Sequence, residues 1–198
     1  MKEFEENLIK DGITIIAGVD EAGRGPVAGP VVAAAVILKN DLEYKYINDS
    51  KVLTKKQRKT AFERIKKEAL YFSYSVIDHG LIDKINILEA TKFAMTTAIN
   101  KLEVKPEHVL IDAVKLNLDI GSTSIIKGDL KSVSIAAASI IAKEIRDQIM
   151  DNYHLDYPNY DFINNKGYLT KKHREAIEIF GPSKIHRKSF EPIKSYYK

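Results

Sequence analysis

Residues 13–38 read ITIIAGVDEAGRGPVAGPVVAAAVIL, two apolar runs on either side of a segment that can be neither helix nor central strand. Ile13–Val19 and Val31–Leu38 are rich in β-branched residues and too short for helices, whereas GRGPVAGP between them is punctuated by glycine and proline. The stretch therefore predicts two adjacent antiparallel strands joined by a glycine-rich turn. Outward from it, Thr54 with Gln57 forms a capping pattern ahead of apolar Ala61, Phe62, Ile65 and Ala69, which predicts an amphipathic helix ending near Leu70. Tyr71–Ile77 alternates as a third strand. Asn86 with Glu89 repeats the capping pattern before a helix reaching about Leu102. His108–Ile111 and Thr123–Ile126 supply two more short strands, Ile135–Met150 a long buried helix, and Thr170–Phe180 a basic helix stopped by Gly181-Pro182. Five strands interleaved with helices predict an α/β fold, its first strands antiparallel and the later ones joined through helices.

A chain of 198 residues with 44% hydrophobic and 29% charged residues suits one structural unit. The absence of cysteine excludes disulfides, thiolate zinc sites, iron–sulfur clusters and a cysteine nucleophile together. The N-terminal MKEFEENLIKDG carries four acids and no apolar core, and no apolar run is long enough to span a bilayer, so a cytoplasmic protein without membrane attachment is expected. The formal charge of +4 is modest, but residues 165–198 hold nine Lys or Arg against three acids, leaving −2 for the rest. Lys51, Lys55, Lys56, Arg58 and Lys59 form a second basic cluster. Two segments thus offer positive charge to a polyanion, although each also suits a solvated helix face.

The chemistry lies in the acids. Asp20 and Glu21 follow the first apolar run, Asp112 closes HVLI, and Asp129 follows Ile126 by three residues. A carboxylate at the edge of an apolar core is poorly solvated and repels its neighbours, so it calls for a cation. In α/β sheets ligand sites gather at the carboxyl ends of strands, and three strand candidates end in acid here. Hard oxygen ligands select Mg2+ or Mn2+ over zinc. An Asp-Glu pair also occurs as a plain polar strand end held by an arginine, here Arg24. Gly18-x-x-x-x-Gly23 lacks the lysine and hydroxyl of a nucleoside triphosphate loop, but Gly23 and Gly25 let main-chain N–H groups approach a phosphate beside Arg24. The five histidines show no zinc spacing, and no G-x-S-x-G elbow is present. Tyr153, Tyr157, Tyr160 and Tyr168 lie beside the basic tail, a pattern that packs sugars or bases as well as cores.

In order along the chain, DEAGRG (20–25), NDSK (48–51), LIDA (110–113), KGD (127–129), AAASIIAKEIRD (136–147), NKGY (165–168) and HRKSF (186–190) resemble the motifs of bacterial ribonuclease HII. The glycine-arginine-glycine triplet favours this family over the sister ribonuclease HIII, which has glycine-lysine-glycine. DSKVL and KGYLT depart from the commoner DSKKL and KGYPT. The resemblance implies a ribonuclease H-like mixed five-stranded sheet flanked by helices, with a catalytic part over 1–152 and a small helical C-terminal appendage over 153–198 packed on it as one unit. It implies hydrolysis of RNA paired with DNA, including single ribonucleotides embedded in duplex DNA, with cleavage on the 5′ side leaving 5′-phosphate and 3′-hydroxyl. By matching position, Asp20, Glu21, Asp112 and Asp129 would be the catalytic, metal-binding acids, holding two Mg2+ or Mn2+ ions with substrate bound. Gly23, Arg24 and Gly25 would contact the backbone around the 2′-hydroxyl, Tyr168 would stack at the RNA–DNA junction, and Lys51 is a further substrate-binding candidate. The protein is expected to act as a monomer. Two readings compete: a hybrid-binding protein without catalysis, for which clustered acids are a disadvantage, and a metal nuclease of DNA junctions.

Overall fold

The computed structural model describes residues 1–48, 50 and 52–197, so Lys51 lies outside the described residues. The elements in chain order are α1 (Glu3–Lys10), β1 (Ile16–Ala22), β2 (Val31–Ile37), α2 (Lys55–Glu68), β3 (Tyr71–Ile77), α3 (His79–Ile85), α4 (Ile87–Asn100), β4 (His108–Asp112), β5 (Gly121–Ile125), α5 (Val133–Asp156), α6 (Phe162–Asn165) and α7 (Lys171–Phe180). The sheet runs β3-β2-β1-β4-β5. β1, β2 and β3 are antiparallel neighbours, whereas β4 runs parallel to both β1 and β5.

Every residue of β2 is buried, because helices cover both faces of this strand. Val31, Ala33, Ala35 and Ile37 pack with Ala90, Ala94 and Ala98 of α4, and Val32, Ala34 and Val36 pack with α2 and α5 on the other side. Small side chains bring the helices close. The extreme is Gly18, where an added Cβ would stand 2.0 Å from the Ser134 carbonyl carbon, so α5 lies directly on β1.

Thr54 and Gln57 form the expected capping box, and the Asn86 side chain accepts from the N–H groups of Leu88 and Glu89. Several boundaries differ from expectation. β1 begins three residues later than the apolar run and continues to Ala22, since antiparallel pairing with β2 extends through Glu21 and Ala22; both acids are therefore strand residues. α5 starts at Val133 and runs past Met150 to Asp156. Its first turn is held by the Ser132 side chain and by buried Glu5, whose Oε1 accepts from Ser132 Oγ at 2.6 Å and from the Ser134 N–H at 3.0 Å. Three helices were not expected: α1, α3 and the single turn α6. α1 docks Phe4 and Leu8 against Ile16, Leu110, Ile125 and Ile135, and α3 is capped by Asp78.

The chain beyond 152 begins inside α5, and a third apolar cluster joins the two parts: Val27 and Ala28 pack with Met150, Tyr160, Phe162, Ile177, Ile185 and Ile193. Main-chain bonds lock this seam. Val27 N–H donates to Gly167 O, Gly29 N–H to Ile185 O, and Arg187 N–H to Val27 O. The glycine-rich turn after β1 is thereby tied to the C-terminal segment. Among the described residues, no helix is long and apolar enough to cross a membrane.

Candidate active site

Parallel pairing places Val19 beside Ile111, and one residue further the strands deliver Asp20 and Asp112 side by side at the carboxyl edge of the sheet. Glu21 follows on the opposite face of β1, and the backbone then turns at Gly23, so all three acids line one cleft of about 430 Å³. Gly23, Arg24, Gly25 and Tyr168 form its other wall.

Asp20 is almost fully buried; its Oδ1 accepts the Glu21 N–H at 2.7 Å, and Ser139 bonds its carboxylate. Burial, then the charges of Glu21 and Asp112, push its proton affinity well above the ordinary carboxylate range. Glu21 is shifted the same way, mainly by burial, although Arg24 at 3.4 Å opposes the shift. Its Oε1 faces that arginine, whereas Oε2 is buried with no hydrogen-bond partner among the described residues. Asp112 Oδ1 accepts the Gly128 N–H at 2.6 Å, which pins the turn carrying Asp129 to the end of β4. Asp129 itself is buried in that turn and does not line the cleft.

An orphaned carboxylate oxygen beside two crowded carboxyls is what a hard divalent cation satisfies, so the donors present fit Mg2+ or Mn2+. Among the described residues, no three acidic or imidazole side chains are already gathered into an ion cage.

The Gly23–Gly25 loop is built from beneath. Gly23 has φ +100°, and a Cβ there would lie 2.1 Å from Arg146 Nε, so only glycine fits. Arg146 Nε donates to Pro30 O at 3.0 Å, and Arg187 donates to the carbonyls of Gly29, Arg24 and Gly23 at 3.0, 3.0 and 2.6 Å. Burial lowers both guanidinium values, to about 10 for Arg146 and about 9 for Arg187, which leaves both charged at neutral pH. With the Gly23 and Arg24 carbonyls turned inward onto Arg187, the loop presents its other edge to the cleft. Tyr168, 48% exposed, stands against Gly25, with 3.5 Å between its ring and where a Gly25 Cβ would be.

Sequence reasoning missed the part of the wall contributed by α5. Ser139, Lys143 and Arg146 fall on one face of that helix at spacings of four and three, polar interruptions in an otherwise small and aliphatic run that were a usable signal. Arg58, noticed only as part of a basic cluster, is instead mostly buried, bonded to Glu144 at 2.6 Å and Asp147 at 3.3 Å. Lys143 pairs with the same Asp147 at 2.6 Å. Lys171, Lys172 and Arg174 of α7 are exposed and do not line the cleft.

Comparison with known proteins identifies the family and the fold. The chain matches the family Ribonuclease HII over residues 17–193. Ribonuclease HII of Listeria monocytogenes is 54% identical over 194 residues, covering 98% of this chain and 74% of that protein. The crystal structure of ribonuclease H2 from Pyrococcus horikoshii OT3 superposes with a TM-score of 0.78 at 26% identity, over 91% of this chain and 95% of that one. Bst-RNase HIII in complex with Mn2+ shares the fold, with a TM-score of 0.67 at 18% identity over 92% of this chain and 69% of that one. A mixed five-stranded sheet with acids at the ends of two adjacent strands, and a sequence match over most of its length, lead to one conclusion: the chain belongs to the ribonuclease HII family, endonucleases that cut RNA paired with DNA.

Proposed function

We propose that this chain nicks duplex DNA at single embedded ribonucleotides as well as cutting longer RNA–DNA hybrids, on the 5′ side of a ribonucleotide, leaving 5′-phosphate and 3′-hydroxyl ends. The observation that carries the reading is the buried, unpartnered Glu21 Oε2 beside Asp20 and Asp112 in a cleft walled by the Gly23–Gly25 loop and Tyr168. Asp20, Glu21 and Asp112, with Asp129 from the adjoining turn, would hold Mg2+ or Mn2+, two ions with substrate in place. When bound, such ions supply an activated water and charge neutralisation at the leaving 3′-oxygen.

The residues themselves position. Ser139 and the Glu21 N–H orient the Asp20 carboxylate, and the Gly128 N–H orients Asp112. The main chain at Arg24 and Gly25, both exposed, can approach the sugar-phosphate around a 2′-hydroxyl because no side chain intervenes at Gly25, while buried Gly23 lets the loop turn. A site that hydrogen-bonds this hydroxyl rejects the deoxy analogue by about 10⁴-fold, since its own polar groups are otherwise left unpaired. Tyr168 offers a ring face to the neighbouring sugar or base. Lys171, Lys172 and Arg174 meet phosphates without reading identity.

The test is cleavage of three duplexes, one with a single ribonucleotide, one RNA–DNA hybrid and one all-DNA, in Mg2+, Mn2+ or chelator. Metal-dependent cutting of the first two alone supports the reading. Binding without cutting returns the hybrid-binding alternative, and cutting of all-DNA duplex returns a DNA nuclease.

A further inference from the structure

His186 and Arg187 are consecutive, both with no exposed surface, and neither lines the cleft. Each nevertheless holds one of its two recognition elements. Arg187 takes the carbonyls of Gly23 and Arg24, as described, and Gly29 at the end of the same turn. His186 reaches the other element through a second buried imidazole: its Nε2 lies 3.0 Å from His173 Nε2, and His173 Nδ1 lies 2.9 Å from the Tyr168 carbonyl oxygen. Proton positions in this chain are fixed from both ends. The Ser183 N–H donates to His186 Nδ1 at 2.9 Å, so that nitrogen carries no proton, and the proton must sit on His186 Nε2. At the far end a carbonyl can only accept, so His173 Nδ1 carries a proton and its Nε2 is the acceptor. The two requirements agree: Ser183 donates to His186, His186 to His173, and His173 to Tyr168, which also accepts the Thr170 N–H at 2.8 Å. Burial lowers both imidazole values, to about 3 for His186, so both rings are neutral as this direction demands.

We propose that His186 and Arg187, acting with His173, are positioning residues that set Tyr168 and the Gly23–Gly25 loop in register for ribonucleotide recognition without touching substrate. The inference rests on the recognition role given to those two elements above. The seam between residues 27–29 and 185–187 makes the coupling mechanical: the Ala28–His186 bridge and the bonds flanking it prevent one element from shifting without the other.

The experiment compares two amides at position 173. In His173→Asn the amide falls where Nδ1 was and can still donate to the Tyr168 carbonyl; in His173→Gln it falls where Nε2 was and can bond only His186. The ratio of kcat/KM on a single embedded ribonucleotide to that on a long hybrid is measured for both variants, alone and with Tyr168→Ala, alongside the histidine tautomers by 15N NMR. We expect His173→Gln to lower that ratio about five-fold, one hydrogen bond's worth, His173→Asn to keep it within two-fold, and the loss to vanish on the Tyr168→Ala background. Arg187→Lys should raise KM on both substrates and, because the seam carries the shift of the loop to Tyr168, lower the ratio as well; a raised KM with the ratio held would show the two elements uncoupled and would overturn the proposal. Equal losses for the two amides, a loss that persists in full with Tyr168→Ala, or either ring found protonated or in the opposite tautomer at neutral pH would overturn the proposal. If Tyr168→Ala alone leaves the ratio unchanged, the recognition role of Tyr168 fails, and the tautomers still decide separately whether the chain of bonds exists.

Discussion

Gly18→Ala tests whether the seating of α5 on β1 sets the geometry of the acids. An added methyl would stand 2.0 Å from the Ser134 carbonyl carbon and 2.3 Å from the Ile135 nitrogen, where ordinary contact begins at 3.4 Å. Both obstacles are main chain, so no side-chain rotation relieves the clash, and strand and helix must part by about 1.4 Å. Overpacking of this kind costs about 1–3 kcal/mol, which for a chain of this size lowers Tm by about 2–12 °C. The effect on turnover should be larger in proportion. Ser139 lies on the same helix and bonds Asp20, and a misplacement near 1 Å costs about 100-fold in rate. The assay is calorimetry together with kcat/KM on a hybrid, with Gly12→Ala as control: Gly12 has nothing within 4 Å of an added Cβ, so its φ of +85° strains the backbone there without pushing two elements apart. Wild-type Tm and turnover in Gly18→Ala would refute the reasoning; turnover no lower than that of Gly12→Ala would do so equally.

Three further outcomes follow from the same structure. Asp20 and Glu21 both have raised proton affinity, so ion-free stability is fullest below the ordinary carboxylate range and falls as pH rises through the raised values, because the folded state must then carry buried charge. Asp20→Asn should flatten that decline, match or exceed wild-type Tm in chelator at neutral pH, and abolish cleavage; Tm against pH with and without Mg2+ checks all of this. Neutralising Lys171, Lys172 and Arg174 together should weaken binding to hybrid and plain duplex alike, and each lost phosphate contact should flatten the slope of log affinity against log salt by about 0.9 on B-form DNA, as titrations at several salt concentrations will show. Gly23→Val should damage cleavage of every ribonucleotide substrate, since its side chain would collide with Arg146, whereas Tyr168→Ala should lose chiefly the single embedded ribonucleotide; relative kcat/KM on the two substrates separates the cases.

What the sequence made legible is what local chemistry determines. Val31–Ile37 reads as a central strand because burial on both faces demands an unbroken apolar run, and Thr54 with Gln57 reads as a helix start because the capping bonds span only three residues. Asp20, Glu21 and Asp112 stood out because charge at the end of an apolar strand is costly, whereas Asp129 sits in the turn after a mostly exposed β5 and does not line the cleft. The remainder depends on partners far along the chain. Glu5 looks like one of several surface acids until its partners at Ser132 and Ser134 are known, and α1 forms around that docking. Arg187 resembles any residue of a basic tail, yet it is buried on carbonyls more than 150 positions away. The motifs at 136–147 and 186–190 marked these segments by resemblance alone; the fold supplies the reason, which is that both support the glycine-rich turn from beneath.

The most direct test of the central claim is to map the cut on a duplex carrying one ribonucleotide, using wild type, Asp20→Asn and Asp112→Asn under single-turnover conditions in Mg2+. The account predicts one nick on the 5′ side of the ribonucleotide, with 3′-hydroxyl and 5′-phosphate ends, made by the wild type and by neither variant. A nick with a 2′,3′-cyclic phosphate end, one that survives chelator, or undiminished cutting by either variant would contradict it.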